Sequence, residues 1–229
     1  MSKTIKDMWV SSCGKYTLIL GDWNECVSEI DISNADLILT DPPYGIKHKC
    51  NYDNRGRSRM AKSKDYPDVF GDNEPYDPRR LLALGLPSII WGANHFASRL
   101  PDSGGWLVWD KLRPDDLDQA TCELAWTNCV KGVRRYAHLW NGFMRESERK
   151  QNYHPTQKPV ALMSWCLQTR WTKGFKLVLD PYAGSGPVGV ACAKSGIGYI
   201  GIEREESYFN IAKSRIQKEL AANLFVGNP

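Results

Sequence analysis

A chain of 229 residues with 42% hydrophobic side chains is long enough for one sizeable core and ordinary in composition for a globular domain. No apolar run approaches the roughly 20 residues needed to cross a bilayer, and the start, Met1-Ser2-Lys3-Thr4, lacks the apolar stretch of a secretory leader, so the reading is cytoplasmic with no membrane partner. The seven cysteines include no C-x-x-C pair, which argues against a zinc centre or a disulfide framework and leaves reduced thiols with no metal site expected, while the net charge of +4 excludes nothing by itself.

In chain order, short apolar runs read as buried strands at Tyr16–Leu20, Leu37–Thr40, Pro87–Trp91, Trp106–Trp109, Tyr136–Trp140, Lys176–Leu179 and Gly198–Ile202. Helices are expected at Asp77–Leu84, Pro159–Gln168, Pro187–Lys194 and Glu206–Leu220, with Pro159 and Pro187 suited to a first turn, where the missing N–H costs nothing. Strands alternating with helices imply a single α/β domain over residues 1–229, with a mainly parallel sheet covered on both faces. Residues 45–75 break the rhythm: they are polar, basic and too long for an ordinary connection. Residues 141–153 form a second irregular, basic stretch. Lys47 to Asp65 carries seven cations against two acids, and Lys131 to Lys158 again seven against two, so the remainder is net acidic. Such an uneven distribution fits a polyanion-binding face as well as it fits two solvated loops.

Two strand tips carry the chemistry. Leu37–Thr40 delivers Asp41-Pro42-Pro43-Tyr44 at its carboxyl end, where ligands bind in open α/β sheets. The prolines fix the backbone and remove two N–H donors, so a carboxylate and rigid carbonyls face one spot. An amino group on a base ring offers two N–H donors, one for Asp41 and one for the Pro42 carbonyl. Two such acceptors pull the nitrogen toward tetrahedral geometry and free its lone pair, and Asp41 stabilises the positive charge that develops there. Tyr44 offers a flat face for a base swung out of a helix. Taken alone, the tetrapeptide is equally a proline-rich turn.

The second tip is Lys176–Asp180, followed by the turn Pro181-Tyr182-Ala183-Gly184-Ser185-Gly186, a helix opened by Pro187, and a strand ending in Glu203, whose carboxylate can accept from a ribose diol. Gly184, Gly186 and Gly189 spell G-x-G-x-x-G, which alone would suit a nicotinamide cofactor. Asp180 at the strand tip repels a pyrophosphate and favours a ligand carrying an ammonium and a sulfonium, as S-adenosylmethionine does. No Gly-Lys-Ser/Thr follows, so a P-loop is excluded.

Together these residues resemble the β-class amino-group DNA methyltransferases, in which the D-P-P-Y motif precedes the cofactor motif. The likeness spans roughly Tyr16 to Ile216. It implies a Rossmann-like S-adenosylmethionine-dependent methyltransferase fold with a mixed seven-stranded sheet, one antiparallel strand, helices on both faces and permuted motif order. It implies catalytic roles for Asp41, Pro42, Pro43 and Tyr44, the Asp form of the motif being typical of N6-adenine enzymes. It implies cofactor contacts from Asp22 and Trp23, from Thr156, Gln157 and Lys158 in His154-Pro155-Thr156-Gln157-Lys158-Pro159, and from Asp180, Tyr182, Ala183, Gly184, Ser185, Gly186 and Glu203. The expected partner is double-stranded DNA, with a homodimer allowed by the likeness. Lys47, Lys49, Arg55, Arg57, Arg59, Lys62 and Lys64 are expected to grip phosphates, and residues 141–153, including Arg145, to serve as a short target-recognition segment. The turn carries Tyr182 and Pro187 where Phe and Thr are more usual. Asn94 or His95 could line the base pocket, with a plain loop histidine the stronger reading of His95, and Lys111 is placed at the pocket rim. N4-cytosine methylation, an oxidoreductase built on the three glycines, a non-catalytic nucleic-acid-binding module and an RNA substrate stay open at this point.

Overall fold

Leu37–Thr40 is buried at every position, as a strand must be when both faces of its sheet are covered. The computed structural model describes residues 4–45, 74–114, 120–141, 144–148, 153 and 157–226. In chain order the strands are β1 (Ile5–Val10), β2 (Tyr16–Gly21), β3 (Leu37–Thr40), β4 (Ser88–Trp91), β5 (Gly105–Asp110), β6 (Cys122–Thr127), β7 (Val133–Ala137), β8 (Trp140–Asn141), β9 (Met144–Arg145), β10 (Leu177–Asp180) and β11 (Gly198–Glu203). The helices are α1 (Trp23–Cys26), α2 (Arg79–Leu82), α3 (Val160–Gln168), α4 (Pro187–Ser195) and α5 (Glu206–Val226). Among these, no helix is long and apolar enough to cross a membrane.

Nine strands form one sheet in the order β1-β2-β11-β10-β3-β4-β6-β5-β7, and β8 and β9 form a separate two-stranded ribbon. The segment from β2 to β5 is the expected seven-stranded mixed sheet with β6 antiparallel to both neighbours. The strand count is corrected at the edges: β1 adds antiparallel to β2, and β7 adds parallel to β5. Both edge strands are largely exposed, so neither shows the apolar run that marks a buried strand. The run expected at Tyr136–Trp140 divides, its first half closing β7 and Trp140 opening β8.

Successive side chains alternate between two apolar layers. Leu37, Leu39, Ile89 and Trp91 point into the layer formed with α3, α4 and α5, while Ile38, Ile90, Leu179, Ile200 and Ile202 point into the layer holding Trp23, Cys26, Leu81 and Phe96. Helix α4 is bounded by left-handed glycines, Gly186 at φ 78° before Pro187 and Gly196 at φ 68° after Ser195, a start and a stop written directly in the residue types.

Strands β2, β11, β10, β3 and β4 are mutually parallel, so their carboxyl ends share one edge. From β10 the chain proceeds to β11 on one side, and from β3 to β4 on the other. The gap between β10 and β3 is therefore the topological switch point, where open α/β sheets bind ligands. It is also where Asp41-Pro42-Pro43-Tyr44 and the glycine-rich turn emerge.

Candidate active site

The two tips are joined directly. Thr40 Oγ1 at the end of β3 donates to Asp180 Oδ1 at the end of β10 over 2.7 Å. Asp180 also accepts from the Tyr182 N–H and from the Tyr199 hydroxyl at 3.2 Å. Burial outweighs these bonds and holds its carboxyl up to about 7. Beyond the turn, Glu203 accepts from the Gly184 N–H at 2.7 Å with one oxygen and from the Glu205 N–H at 2.8 Å with the other. The Arg204 N–H bears on it as well, which leaves the carboxylate room for a further donor such as a diol hydroxyl.

The glycines divide by role. A side chain at Gly186 would lie 2.8 Å from Ala212 Cβ, and one at Gly189 would lie 2.5 Å from Ile216 Cδ1, so both serve the packing of α4 on α5. A Cβ at Gly184 would meet nothing within 4 Å, at φ 53°. Backbone is thus accessible there, beside the carboxylate of Glu203, and Pro187 removes one of the helix N–H groups a pyrophosphate would use. These groups fit an adenosyl ligand with a positively charged sulfur better than a dinucleotide.

The other expected cofactor residues are placed as follows. Asp22 accepts from the Asn24 N–H to cap α1 and pairs with Arg204 at 3.2 Å. Trp23 is only 3% exposed and packs in the core, so its indole has little surface left for a ligand. Tyr182 meets Tyr76 edge-on at 5.7 Å. The Ala183 N–H donates to Ile202 O, and the Ser185 carbonyl accepts from Arg215. Gln157 is buried and donates to Glu148. Thr156, and the seven expected phosphate-binding residues Lys47, Lys49, Arg55, Arg57, Arg59, Lys62 and Lys64, lie outside the described residues. The backbone of Gly45, next to Tyr44, packs against Glu74 and Pro75. Arg145 lies over the Trp140 ring at 4.1 Å.

Lys158 differs most from its expected place. The family likeness sets it near the cofactor carboxylate; its Nζ instead donates to both oxygens of Asp41, at 2.9 and 2.8 Å, and to the Tyr44 hydroxyl at 2.7 Å. Tyr44 in turn donates to Asp41 Oδ1. Lys158 also pairs with Glu123 Oε2 at 2.8 Å, and Lys111 pairs with Glu123 Oε1. The result is a buried chain of alternating charge, Asp41, Lys158, Glu123, Lys111. Burial raises the Asp41 carboxyl, Lys158 opposes the rise and Glu123 adds to it. For Glu123 burial is overcome by the two lysines, which bring it down to about 2. Burial also works against Lys158, yet Asp41 and Glu123 keep it above its ordinary value.

Tyr44 stacks on His95, ring centroids 4.9 Å apart and 16° from parallel. His95 therefore stands directly against the ring of Tyr44. Gly92, at φ 71°, makes room for Tyr44: a Cβ there would stand 1.8 Å from Tyr44 Cε1. Glu123 was beyond the reach of sequence reasoning, because Cys122–Thr127 mixes Cys, Glu and Ala with two apolar residues and has no clear period.

Comparison with known proteins bears on the family and the fold. The profile of a DNA methylase family, of N6/N4 type, matches residues 107–214. The chain is 36% identical over 248 residues to the type II methyltransferase M2.DpnII of Streptococcus pneumoniae, covering 91% of this chain and 92% of that one. It is 25% identical over 240 residues to the type II methyltransferase M2.LlaDCHI of Lactococcus lactis subsp. cremoris, covering 88% and 89%. Its fold resembles the PvuII DNA methyltransferase, described as cytosine-N4-specific, with TM-score 0.59 and 13% identity over 96% of this chain and 94% of that one. It also resembles the complex of M1.HpyAVI with S-adenosylmethionine, with TM-score 0.52 and 23% identity over 87% and 99%.

Proposed function

The chain belongs to the N6/N4 DNA methylase family, and from that premise we propose that it methylates N6 of an adenine flipped out of double-stranded DNA, with S-adenosylmethionine as methyl donor. The observation that carries the reading is the junction of the two tips: Asp41 follows Thr40, and Thr40 is hydrogen-bonded to Asp180 at the head of the glycine-rich turn. A carboxylate and a nucleoside cradle thereby share one cleft. The choice of adenine rests on the Asp at the first motif position.

Glu203 and the half-buried backbone of Gly184 are assigned to the ribose and its neighbouring atoms. Asp22, Tyr182, Ala183, Ser185 and Gly186 shape the wall of that cradle. When bound, S-adenosylmethionine supplies an electrophilic sulfonium methyl. Asp41 accepts one N–H of the exocyclic amine and the Pro42 carbonyl accepts the other, which turns the nitrogen lone pair toward the methyl. Pro43 keeps that backbone rigid. Tyr44, backed by His95, provides the stacking face. Asp41, ionised, offsets the positive charge that grows on nitrogen and is positioned to take the proton the product releases.

Incubation with isotopically labelled cofactor and mixed-sequence DNA, followed by nucleoside mass spectrometry, tests the reading. N6-methyladenine is expected, N4-methylcytosine would overturn the choice of base, and label on neither would overturn the reaction. Asp41→Ala should abolish transfer while leaving cofactor affinity within about twofold of the parent, since uniform binding does not depend on a group acting only on the amine.

A further inference from the structure

We infer that Glu123, outside both strand-tip motifs, is a positioning residue that keeps Lys158 paired when a base amino group displaces it from Asp41. This rests on the reading of Asp41 as the acceptor for that amine. Lys158 now occupies the acceptor. An ammonium has three hydrogens, and here four oxygens surround it: two of Asp41, one of Tyr44 and one of Glu123. An exocyclic amine is also an N–H donor, so it competes with Lys158 for the same lone pairs.

Displacement without a second anion would strand a cation whose side chain is only 3% exposed, and an unpaired buried charge is strongly unfavourable. Glu123 removes that obstacle. Its Oε2 already holds Lys158, and the hydroxyl of Tyr44 can keep accepting as well. Glu123 cannot follow the lysine, because it is fixed on β6 and its other oxygen is held by Lys111, which lies over the Trp109 ring at 5.1 Å. The four charges sum to zero in the resting arrangement. Once Lys158 rests on Glu123 and the Tyr44 hydroxyl, the carboxylate of Asp41 faces the incoming amine. Lys158 thereby guards the acceptor against other donors and yields it at low cost.

Glu123→Gln keeps the shape and one acceptor oxygen but removes the charge, so Asp41 becomes the only anion available to Lys158. The single-turnover methylation rate, at saturating DNA and cofactor, is expected to fall on the order of tenfold because a smaller fraction of sites can admit the base. Cofactor affinity by calorimetry should stay unchanged. The charged and titratable groups facing Asp41 are Lys158, Glu123, Tyr44 and, across the strand tips, Asp180. With Glu123 neutral, the acid limb of the pH–rate profile should move to lower pH. If Glu123→Gln misfolds, Lys111→Met/Glu123→Gln restores charge balance and should show the same two changes. A rate within twofold of the parent, or a lower rate with an unmoved acid limb, overturns the proposal and leaves the methyltransferase reading intact. A parent protein that transfers no methyl group to DNA overturns both.

Discussion

Gly92 has no place in either strand-tip motif, yet Tyr44 can lie where it does only because residue 92 has no side chain. Its φ of 71° is itself unfavourable for other residues, and a methyl group would overlap the Tyr44 ring at 1.8 Å. Gly92→Ala should therefore cost roughly 1–3 kcal/mol of stability and far more in activity, because Tyr44 must move and its stack on His95 is lost. Single-turnover rates should fall at least about tenfold while calorimetric cofactor affinity is kept. Asp180 gives a second prediction at this scale. Its carboxyl, ordinarily acidic, is raised by burial to about 7. The native state thus retains a proton that the unfolded chain releases at lower pH, and the contribution of Asp180 to stability falls as pH rises from the ordinary carboxylate range to about 7, then levels off. The span is on the order of 4 kcal/mol, and Asp180→Asn, isosteric and uncharged, should flatten it in urea titrations between pH 4 and pH 8. Both motifs were legible in the sequence because prolines and glycines write backbone geometry locally. Glu123 and Lys158 are paired across the fold, and Lys158 reaches Asp41 over a separation of 117 residues, so no local pattern announced either contact.

Between elements, one clamp holds the glycine-rich turn, α3 and α5 together. Arg215 on α5 donates to the Ser185 carbonyl at 2.6 Å and to Glu148 Oε1 at 2.8 Å, and it lies over the Tyr153 ring at 4.8 Å. Glu148 accepts further from Gln157 Nε2 at 3.0 Å and from the Val160 N–H at 2.8 Å, where a carboxylate also complements the amino end of α3. Glu148 adopts φ 53° to do this, a conformation a glutamate accepts only under strong constraint. Arg215→Met would leave that half-buried acid without its cation, at a cost of about 1–3 kcal/mol, and would free the Ser185 end of the turn. Denaturant melts should show the loss of stability, and calorimetry a weaker cofactor affinity. A melt unchanged within about 0.5 kcal/mol would show that the clamp contributes nothing. The sequence disclosed α4 and α5 through a proline, glycines and an apolar face. It did not disclose β1 or β6 and met only the end of β7, since the exposed positions of the two edge strands and the mixed residues of β6 carry no period, and it read residues 141–153 only as recognition surface while Glu148 among them is bonded to Arg215, Gln157 and Val160.

Over the whole molecule, the +4 charge conceals two basic stretches. In the stretch from Lys131 to Lys158, Lys158 is buried in the charge chain, Arg135 pairs with Asp110 at 2.9 Å, and Arg134 lies over the Trp171 ring. Cations already engaged with the protein are poorly suited to releasing counterions from DNA. The stretch from Lys47 to Lys64 follows Asp41-Pro42-Pro43-Tyr44 directly in sequence, and Gly45, at its near end, meets Glu74 and Pro75. Phosphate contacts should therefore come mainly from Lys47, Lys49, Arg55, Arg57, Arg59, Lys62 and Lys64. Each phosphate neutralised contributes about 0.9 to the slope of log affinity against log salt. Replacing these residues with Gln should flatten that slope by several units and weaken binding to all duplex sequences alike, whereas Arg134→Gln with Arg135→Gln should change it by less than about one. Fluorescence anisotropy of a labelled duplex across a salt series separates the two sets. An equal loss of slope from both would place the phosphate track along β7 as well as beside Tyr44, and the duplex would then have to span the sheet edge rather than sit over the switch point alone.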